Sequence, residues 1–391
     1  MLYQNVCLES FGYTLPEEIV TSTELEQRLE PIYRRLRLPE GRLELITGIR
    51  ERRFWQPGTL PSENSVASAD AALESSGLDR ALVGSLVHAS VCRDHLEPAT
   101  ACAVHHHLDL PADCMIYDVS NACLGILNGI IQVANMIELG QIRVGIVVGS
   151  EGGRELVETT IATLNADESL TRNSVKTAIA SLTIGSASCA VVLTDRELSQ
   201  TGNRLTAAMS HANTDYHQLC HSGSDQSVAS GMQPLMNTDS ERLMQEGIRT
   251  GTETFERFLF ESGWARDDID KTFCHQVGSI HRRLMLESLG LDPAGDYTTL
   301  EWLGNTGSVA LPITMALGAE SGFLQEGDKV GMLGIGSGIN CVMLAVEWET
   351  SLVRGSGQVG EHKTLDTSND TSRLVSRTSG GNKIELLKKH P

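Results

Sequence analysis

Two stretches of the chain repeat one pattern, and this repetition limits the possible folds more than any other feature of the sequence. CLGILNGIIQVANMIELGQIRVGIVVGSEGG begins at Cys123, and NTGSVALPITMALGAESGFLQEGDKVGMLGIGSG begins at Asn305. Aligned with gaps, each predicts a turn of small residues, an apolar helix, a short polar link, a β-strand and a glycine-rich turn. The pattern indicates a duplicated α/β unit, with halves that meet between about residues 195 and 240.

Short β-branched runs recur in both halves and alternate with helical patterns, which predicts the α/β class. We place an N-terminal half at residues 1–195, a C-terminal half at 196–349 and a disordered tail at 350–391. The polar segment from 200 to 240 is interpreted as a long connection or a surface loop. The tail is assigned because it contains few large apolar residues.

Charge and cysteine content exclude several classes of protein. A net charge of −19 argues against binding to nucleic acid or to an anionic membrane surface. Since there is no apolar run of about 18 residues and no basic-then-apolar start, we expect neither a transmembrane helix nor a signal peptide. Nine scattered cysteines without a CxxC pair favour a reducing cytoplasm over a disulfide framework or a zinc site. The adjacent His105, His106 and His107 point in different directions, so we interpret them as a solvated helix end and expect no metal.

Cys123 lies in DVSNACLG, where a β-like run meets a tight turn and the start of an apolar helix. A thiolate there would meet unpaired backbone N–H groups and the positive end of the helix dipole, so we expect a lowered pKa for Cys123. Strand–turn–helix placement also exposes a side chain at a sharp bend, as nucleophile elbows do. From the local pattern alone, a catalytic thiol and a buried structural cysteine are equally consistent.

Three further segments carry residues capable of chemistry that also have ordinary structural interpretations. His275 ends a short apolar run in FCHQ and suits activation of a thiol or donation to an oxyanion, although a structural histidine is more frequent. Asn305 follows Gly304 before a helix, where turn and cap residues are common. The GIGSG loop at 334–338 suits an oxyanion site or a phosphate nest, and no helix follows it as a dinucleotide fingerprint requires.

In this order, the segments resemble the β-ketoacyl synthase III branch of the thiolase superfamily. The strings that carry the resemblance are TGIRERR near the N-terminus, DVSNACLG, CHQVG, GNTGSVALP and GIGSG. The resemblance covers roughly residues 1–349 and implies the thiolase fold, with five αβαβα layers built from two similar halves, normally as a homodimer. Within the branch, the chain most resembles the OleA condensing enzymes of long-chain olefin biosynthesis, because Glu97 stands in SVCRDHLEPAT, 26 residues before Cys123.

The resemblance implies a non-decarboxylative Claisen condensation of two fatty acyl-CoA molecules. Cys123 would hold the first acyl group as a thioester, and the enolate of the second acyl-CoA would attack it, giving a 2-alkyl-3-oxoalkanoic acid. The backbone amides of Cys123 and Ser337 would hold the oxyanion, while His275 and Asn305 would polarise the second thioester carbonyl. Glu97, donated across the homodimer interface, would be the base that removes the α-proton.

Two rival activities share most of these residues. A decarboxylating β-ketoacyl-ACP synthase III acting with malonyl-ACP needs no Glu97, and a thioester hydrolase would discharge the Cys123 acyl group to water. A non-catalytic scaffold subunit is disfavoured because it has no need of the complete Cys, His and Asn set. We expect no cofactor apart from the coenzyme A of the substrates, and further olefin-pathway enzymes as possible partners. The coenzyme A contacts stay unassigned, because Ile46 stands where the family often has a basic residue.

Overall fold

The computed structural model describes residues 1–222, 236–275 and 277–359. The described strands are β1 (Val6–Thr14), β2 (Glu18–Thr21), β3 (Glu51–Phe54), β4 (Val83–Ala89), β5 (Met115–Val119), β6 (Val144–Glu151), β7 (Ala187–Asp195), β8 (Arg204–Ala212), β9 (Cys220–Ser222), β10 (Met236–Thr238), β11 (Lys271–Cys274), β12 (Lys329–Gly336), β13 (Asn340–Glu347) and β14 (Val353–Ser356). The described α-helices are α1 (Ser22–Arg28), α2 (Glu30–Leu36), α3 (Arg42–Thr47), α4 (Pro61–Ser76), α5 (Thr100–His107), α6 (Gly125–Glu138), α7 (Arg154–Ala166), α8 (Arg172–Ala178), α9 (Ser240–Ser262), α10 (Ser279–Leu289), α11 (Leu300–Leu303) and α12 (Ala310–Glu320).

Strand pairing follows one scheme in both halves of the chain. In the N-terminal half, β4 is parallel to β6, β6 is antiparallel to β7, and β7 is antiparallel to β1. In the C-terminal half, β11 is parallel to β12, β12 is antiparallel to β13, and β13 is antiparallel to β8. The segments α6–β6 and α12–β12 occupy equivalent places in the two schemes, so the predicted duplication is confirmed.

The helices form three layers separated by the two sets of strands. α6 and α12 lie in the middle and share one hydrophobic core with residues from both strand sets. α4 and α5 cover the outer face of the N-terminal strands, while α9 and α10 cover the outer face of the C-terminal strands. Because strands lie on both sides of α12, its residues Ala310–Ala319 are all buried. The order of layers is αβαβα, as the resemblance implies.

The two strand sets meet where β1 and β8 are joined by a single bridge between Cys7 and Arg204. The interpretation of residues 200–240 as a loop is therefore wrong for Arg204–Ala212, which lie inside the sheet. Polar residues within β8 concealed the strand, because their partners are remote in sequence. His211, for example, lies 3.2 Å from the hydroxyl of Thr254. Residues 223–235 of this segment lie outside the described residues, and the expected division at 195/196 falls between β7 and β8.

The last described strand corrects the expected start of the tail. β14 pairs in parallel with β1, from Phe11 opposite Val353 to Thr14 opposite Ser356. A Cβ at Gly355 would lie 1.9 Å from the Tyr13 ring, so the strand reaches β1 only with glycine there. A tail beginning at residue 350 is therefore wrong for residues 353–356, and residues 360–391 lie outside the described residues.

A separate hydrophobic core lies outside the three layers of helices described above. Helices α1–α3 pack with α7 and α8 around apolar side chains that include Leu25, Leu43 and Val157. The first of these helices begins with a capping box, in which the Thr21 hydroxyl accepts from the Glu24 amide and the Glu24 carboxylate accepts from the Thr21 amide. Across residues 1–222, 236–275 and 277–359, no helix combines the length and apolar character needed to cross a membrane.

Candidate active site

Cys123 lies in the turn between β5 and α6, as the sequence predicts. The residue before it, Ala122, has a φ of 45°, in the left-handed region that residues with a Cβ rarely adopt. The turn closes with a hydrogen bond from the Leu124 amide to the Asn121 carbonyl at 2.9 Å, and α6 begins at Gly125. A strained residue beside a nucleophile at a strand–helix turn is the geometry of a nucleophile elbow, and strain of this kind concentrates at functional sites.

The expected lowering of the Cys123 pKa is wrong. Burial raises the pKa of the Cys123 thiol to about 12, with further increases from Glu151 and Cys220. The prediction considered only the start of α6, whereas the pKa depends on everything packed around the sulfur. Neither Glu151 nor Cys220 is a cation that would favour the thiolate, so the resting nucleophile is a neutral thiol.

The GIGSG segment forms the turn between β12 and β13, as the second β run predicts, and it lies against the nucleophile turn. A Cβ at Gly334 would lie 2.4 Å from Cδ1 of Leu127, and one at Gly336 would lie 3.5 Å from the Cys123 nitrogen. Glycine is therefore needed for the close approach of the hairpin to α6. Ser337 follows directly, and its hydroxyl donates to the Cys220 sulfur at 3.3 Å. The hairpin thus brings Ser337 and a second thiol close to Cys123.

His275 follows β11 and is held to the neighbouring strand by its backbone. Its amide donates to the Leu333 carbonyl at 3.1 Å, one residue before Gly334. Burial lowers the pKa of His275 to about 3, and the nearby His281 lowers it further. Among the described residues, neither ring nitrogen has a hydrogen-bond partner. The side chain is therefore a buried, neutral imidazole, and neither nitrogen is engaged by another described residue.

A buried carboxylate fixes the elements on either side of His275. Asp296 accepts from the Cys274 amide at 3.1 Å and from the Thr272 hydroxyl at 3.0 Å, and it pairs with Arg282 at 2.6 Å. Burial raises the pKa of Asp296, and the Arg282 guanidinium partly offsets that effect. These contacts fix β11 to α10, so the histidine between them has a defined position.

Asn305 is anchored by its backbone and oriented by its own side chain. Its amide donates to the Thr183 carbonyl at 2.9 Å, and its carbonyl accepts from the Gly185 amide at 2.9 Å. The side-chain Oδ1 accepts from the Gly307 amide at 3.0 Å. Because that bond occupies the oxygen end of the amide, the NH₂ end is the one directed to donate. An amide donor in the site is what polarisation of a thioester carbonyl requires.

Glu151 is a site residue that the sequence analysis did not identify. It ends β6, is only 5% exposed, and its Oε1 accepts from the Ser308 hydroxyl at 2.6 Å, in the turn that begins at Asn305. The sequence contains one signal for Glu151. It is a charged residue at the end of an apolar strand, at the place where the second repeat has GSG. A buried carboxylate beside a thiol is a candidate functional group.

Glu97 stands apart from the other predicted site residues. It lies in the exposed loop between β4 and α5, beside a cis peptide bond to Pro98. At the start of this loop, the Val91 amide donates to the Glu151 carboxyl group. Farther along the loop, Asp94 accepts from the Ser62 amide at 2.9 Å. The structure therefore brings together the segments that carry Cys123, Ser337, His275 and Asn305, and leaves the Glu97 side chain at the protomer surface.

The residues described contain no group of three or more His, Cys, Asp and Glu side chains arranged to hold a metal ion. His105, His106 and His107 form the last turn of α5, where His106 and His107 are exposed, so the interpretation as a helix end is confirmed.

The five-layered fold and a cysteine at an elbow beside histidine and asparagine segments define a thiolase-type acyltransferase. Residues 62–153 match the family model described as thiolase, N-terminal domain. Residues 259–348 match the model described as 3-oxoacyl-(acyl-carrier-protein) synthase III, C-terminal.

Relatives that this chain matches over their whole length narrow the class of enzyme. The acyl-CoA:acyl-CoA alkyltransferase of Shewanella oneidensis is 42% identical over 351 residues, which cover 89% of this chain and 100% of that protein. The protein of the same name from Xanthomonas campestris pv. campestris is 33% identical, with the same coverage. A crystal structure of Xanthomonas campestris OleA with bound lauric acid and lauroyl-CoA superimposes with a TM-score of 0.83 at 32% identity, covering 89% of this chain and 100% of that one. The chain therefore belongs to the OleA-type acyl-CoA:acyl-CoA alkyltransferase family.

Proposed function

We propose that this enzyme condenses two long-chain fatty acyl-CoA molecules without decarboxylation and releases a 2-alkyl-3-oxoalkanoic acid. The observation that carries the proposal is a whole-length match to alkyltransferases in a chain that places Cys123 at a nucleophile elbow. The lauroyl-CoA bound to the Xanthomonas protein supports a fatty acyl-CoA thioester as the substrate class.

In the first half-reaction, the sulfur of Cys123 attacks the thioester carbonyl of one acyl-CoA. The C–S bond to coenzyme A breaks, the acyl–Cys123 bond forms, and the thiol proton leaves with the coenzyme A sulfur. Since Cys123 is a neutral thiol and His275 a neutral imidazole, we assign no resting ion pair, and the proton moves as attack occurs. The amides of Cys123 and Ser337 are assigned to the oxyanion.

In the second half-reaction, a base removes an α-proton from the second acyl-CoA. The resulting enolate carbon attacks the acyl–Cys123 carbonyl, a carbon–carbon bond forms, and the Cys123 sulfur leaves and regains a proton. His275 and the NH₂ group of Asn305 are assigned to the thioester oxygen, where they stabilise the enolate. Water then cleaves the remaining coenzyme A thioester to give the β-keto acid. No step requires a cofactor, and further olefin-pathway enzymes would consume the product.

The base is assigned to Glu97, acting across a homodimer. Two observations support a second copy as the recipient of this side chain. Among the described strands, β5 pairs only with β4 and is a free edge, with Met115 54% exposed. Val91 and Leu96, on the loop that carries Glu97, are 49% and 56% exposed. A free strand edge with exposed apolar side chains beside it favours association with another copy. Since thiols must stay reduced for this chemistry, we place the reaction in the cytoplasm.

Protomer mixing tests the exchange of Glu97 between subunits. Cys123→Ser and Glu97→Ala protomers are unfolded, mixed in equal amounts and refolded together, with each variant alone as the control. In a mixed dimer, one site has its own Cys123 and receives Glu97 from the other chain. About a quarter of the wild-type sites should then work, since about half of the dimers are mixed. No recovery of condensation would place Glu97 in its own protomer's site or outside the chemistry.

Products formed from one substrate test the proposed reaction itself. The purified enzyme is incubated with lauroyl-CoA alone, and the products are identified by mass spectrometry. A branched β-keto acid, or the ketone formed when it decarboxylates, supports the proposal. Free lauric acid as the sole product means hydrolysis, and turnover only after addition of malonyl-ACP means a decarboxylating synthase; either result overturns the proposal.

A further inference from the structure

Glu151 ties together two loops that carry different parts of the proposed chemistry. One oxygen, Oε1, accepts from the Val91 amide at 3.0 Å, the Ser308 amide at 3.2 Å and the Ser308 hydroxyl at 2.6 Å. The other, Oε2, accepts from the Cys92 amide at 3.3 Å. Among the described residues, three backbone amides and one hydroxyl therefore hold the Glu151 side chain in place.

The two loops are the ones that the condensation step uses. Val91 and Cys92 begin the loop that reaches Glu97, and Ser308 ends the turn that begins at Asn305. The oxygen of the Ser308 hydroxyl also lies 3.0 Å from the Ala89 carbonyl oxygen at the end of β4, so its single proton is shared between Glu151 and Ala89. The hydrogen bonds that attach the two loops to each other are buried or partly buried, and all of them are made to the side chain of Glu151.

The charge of Glu151 also acts on Cys123. The titratable groups that its charge affects are the thiols of Cys123 and Cys92, whose pKa values it helps to raise, and the imidazole of His88. From another element, Cys220 on β9 also acts on Cys123. A negative charge near the sulfur disfavours the thiolate, so loss of the Glu151 charge should make Cys123 more reactive at neutral pH.

We propose that Glu151 is a positioning residue for carbon–carbon bond formation, which holds the Asn305 turn beside Cys123 of its own protomer and holds the Glu97 loop that reaches the site of the second copy. This inference rests on the proposed function, because that function assigns Glu97 and Asn305 to the enolate step. Acylation of Cys123 does not use those two residues. Disturbing Glu151 should therefore impair condensation far more than acylation.

The chain supplies a matched control in Glu9. Glu9 is completely buried and accepts from the Ser199 hydroxyl at 2.6 Å and from the Gln200 amide at 2.9 Å. On β7, Leu193 pairs with Leu8, the residue before Glu9, whereas Ala187 pairs with Glu151. Six residues of strand separate these positions, or about 20 Å. Glu9→Gln thus repeats the change of a buried, hydrogen-bonded carboxylate far from the site.

The experiment compares Glu151→Gln, Ser308→Ala and Glu9→Gln with the wild type, each as the full chain. Acylation of Cys123 by lauroyl-CoA is followed by intact-protein mass spectrometry, condensation by product formation, and thiol reactivity by iodoacetamide labelling of Cys123 across pH. For Glu151→Gln we expect condensation to fall by about 10²-fold relative to acylation, since small displacements of positioned groups have effects of that size. The labelling profile should move to lower pH by about one unit.

Ser308→Ala keeps the Glu151 charge and removes one hydrogen bond to it. This variant therefore tests the proposal even if Glu151→Gln does not fold. It should reduce condensation by about tenfold relative to acylation and leave the labelling profile unchanged. Glu9→Gln should change neither the ratio of condensation to acylation nor the pH profile of Cys123 labelling. Equal loss of acylation and condensation in Glu151→Gln and Ser308→Ala, or the same selective loss in Glu9→Gln, would overturn the proposal. A wild-type enzyme that makes no condensation product overturns the proposed function instead, while the labelling shift still reports the link between Glu151 and the thiol.

Discussion

The two turns that precede the central helices occupy equivalent places in the duplicated fold but have different contents. The turn before α6 contains strained Ala122 and a nucleophile, while the turn before α12 contains Asn305, held by three hydrogen bonds through its backbone and its Oδ1. The strands that follow also differ, since β6 ends in the carboxylate of Glu151 and β12 ends in the glycines of a hairpin. The duplicated frame thus carries an asymmetric candidate site, in which the proposed nucleophile comes from one half and the proposed side-chain donors, His275 and Asn305, come from the other.

The largest expected effect follows removal of the nucleophile from the N-terminal turn. Cys123→Ser should reduce condensation by at least about 10³-fold, because a neutral hydroxyl is a much weaker nucleophile than a thiol. The variant should retain its thermal midpoint, and mass spectrometry of the wild type should find the acyl group on Cys123 alone. An acyl adduct on another cysteine, with none on Cys123, would show that the N-terminal turn is not the nucleophile turn.

The equivalent change in the C-terminal turn should affect a later step. Asn305→Ala removes the side-chain donor and should reduce condensation by about 10²-fold, the usual size for loss of one oxyanion donor. Acylation of Cys123 should stay within about threefold of the wild type, because its assigned donors are backbone amides. Single-turnover acylation and product formation separate the two steps. If acylation falls as much as condensation, the C-terminal turn does not act only in the later, condensation step.

Two buried groups, one in each half, should respond to opposite extremes of pH. His281 in the C-terminal half has its pKa lowered by burial to about 4, so its contribution to stability is present above its ordinary pKa of 6.5 and is lost as pH falls toward 4. For Cys123, whose raised pKa is about 12, stability is instead lost as pH rises above 9. The free energy of unfolding is measured in urea at pH 7.5 and at pH 4.5. Between these two pH values it should fall by about 2.5 kcal/mol less for His281→Gln than for the wild type. His107→Gln, at an exposed position, is the control and should follow the wild type.

The close approach of the hairpin to α6 is tested by a single methyl group. Gly334→Ala places a Cβ 2.4 Å from Cδ1 of Leu127 and should reduce the free energy of unfolding by about 1–3 kcal/mol through overpacking. Gly152→Ala is the matched control, because no atom lies within 4 Å of a Cβ there. Its effect should stay within about 0.5 kcal/mol. Thermal unfolding of both variants provides the measurement, and equal midpoints would mean that the hairpin adjusts without cost.

The smallest expected effect concerns the end of the chain, where β14 returns to the N-terminal half. A chain ending at residue 359 retains Val353–Ser356 and should keep the wild-type thermal midpoint and activity. A chain ending at residue 352 loses the strand and its packing of Gly355 against Tyr13, so its midpoint should fall by several degrees. A comparable fall for the longer chain would show that residues 360–391 contribute to stability.

Local patterns were enough to predict much of the fold and part of the site. The strand–turn–helix around Cys123, the hairpin at Gly334–Gly338 and the strand before His275 each depend on a few neighbouring residues, and short-range geometry determines them. The duplicated α/β unit was predictable for the same reason, because both copies retain the same local pattern. The loop assignment at 200–240 failed for β8, in which a polar residue such as His211 finds its partner, Thr254, on another element.

The sequence by itself determined where the nucleophile turn lies, while the tertiary structure alone decided the ionisation state of the thiol. The pKa of Cys123 depends on burial and on Glu151 and Cys220, which lie 28 and 97 residues farther along the chain. The same holds for Glu151, whose four hydrogen bonds reach back to Val91 and Cys92 and forward to Ser308. A helix dipole is a local property that a motif reveals. Desolvation and charge proximity are sums over everything that packs nearby, so they exist only once the chain has folded.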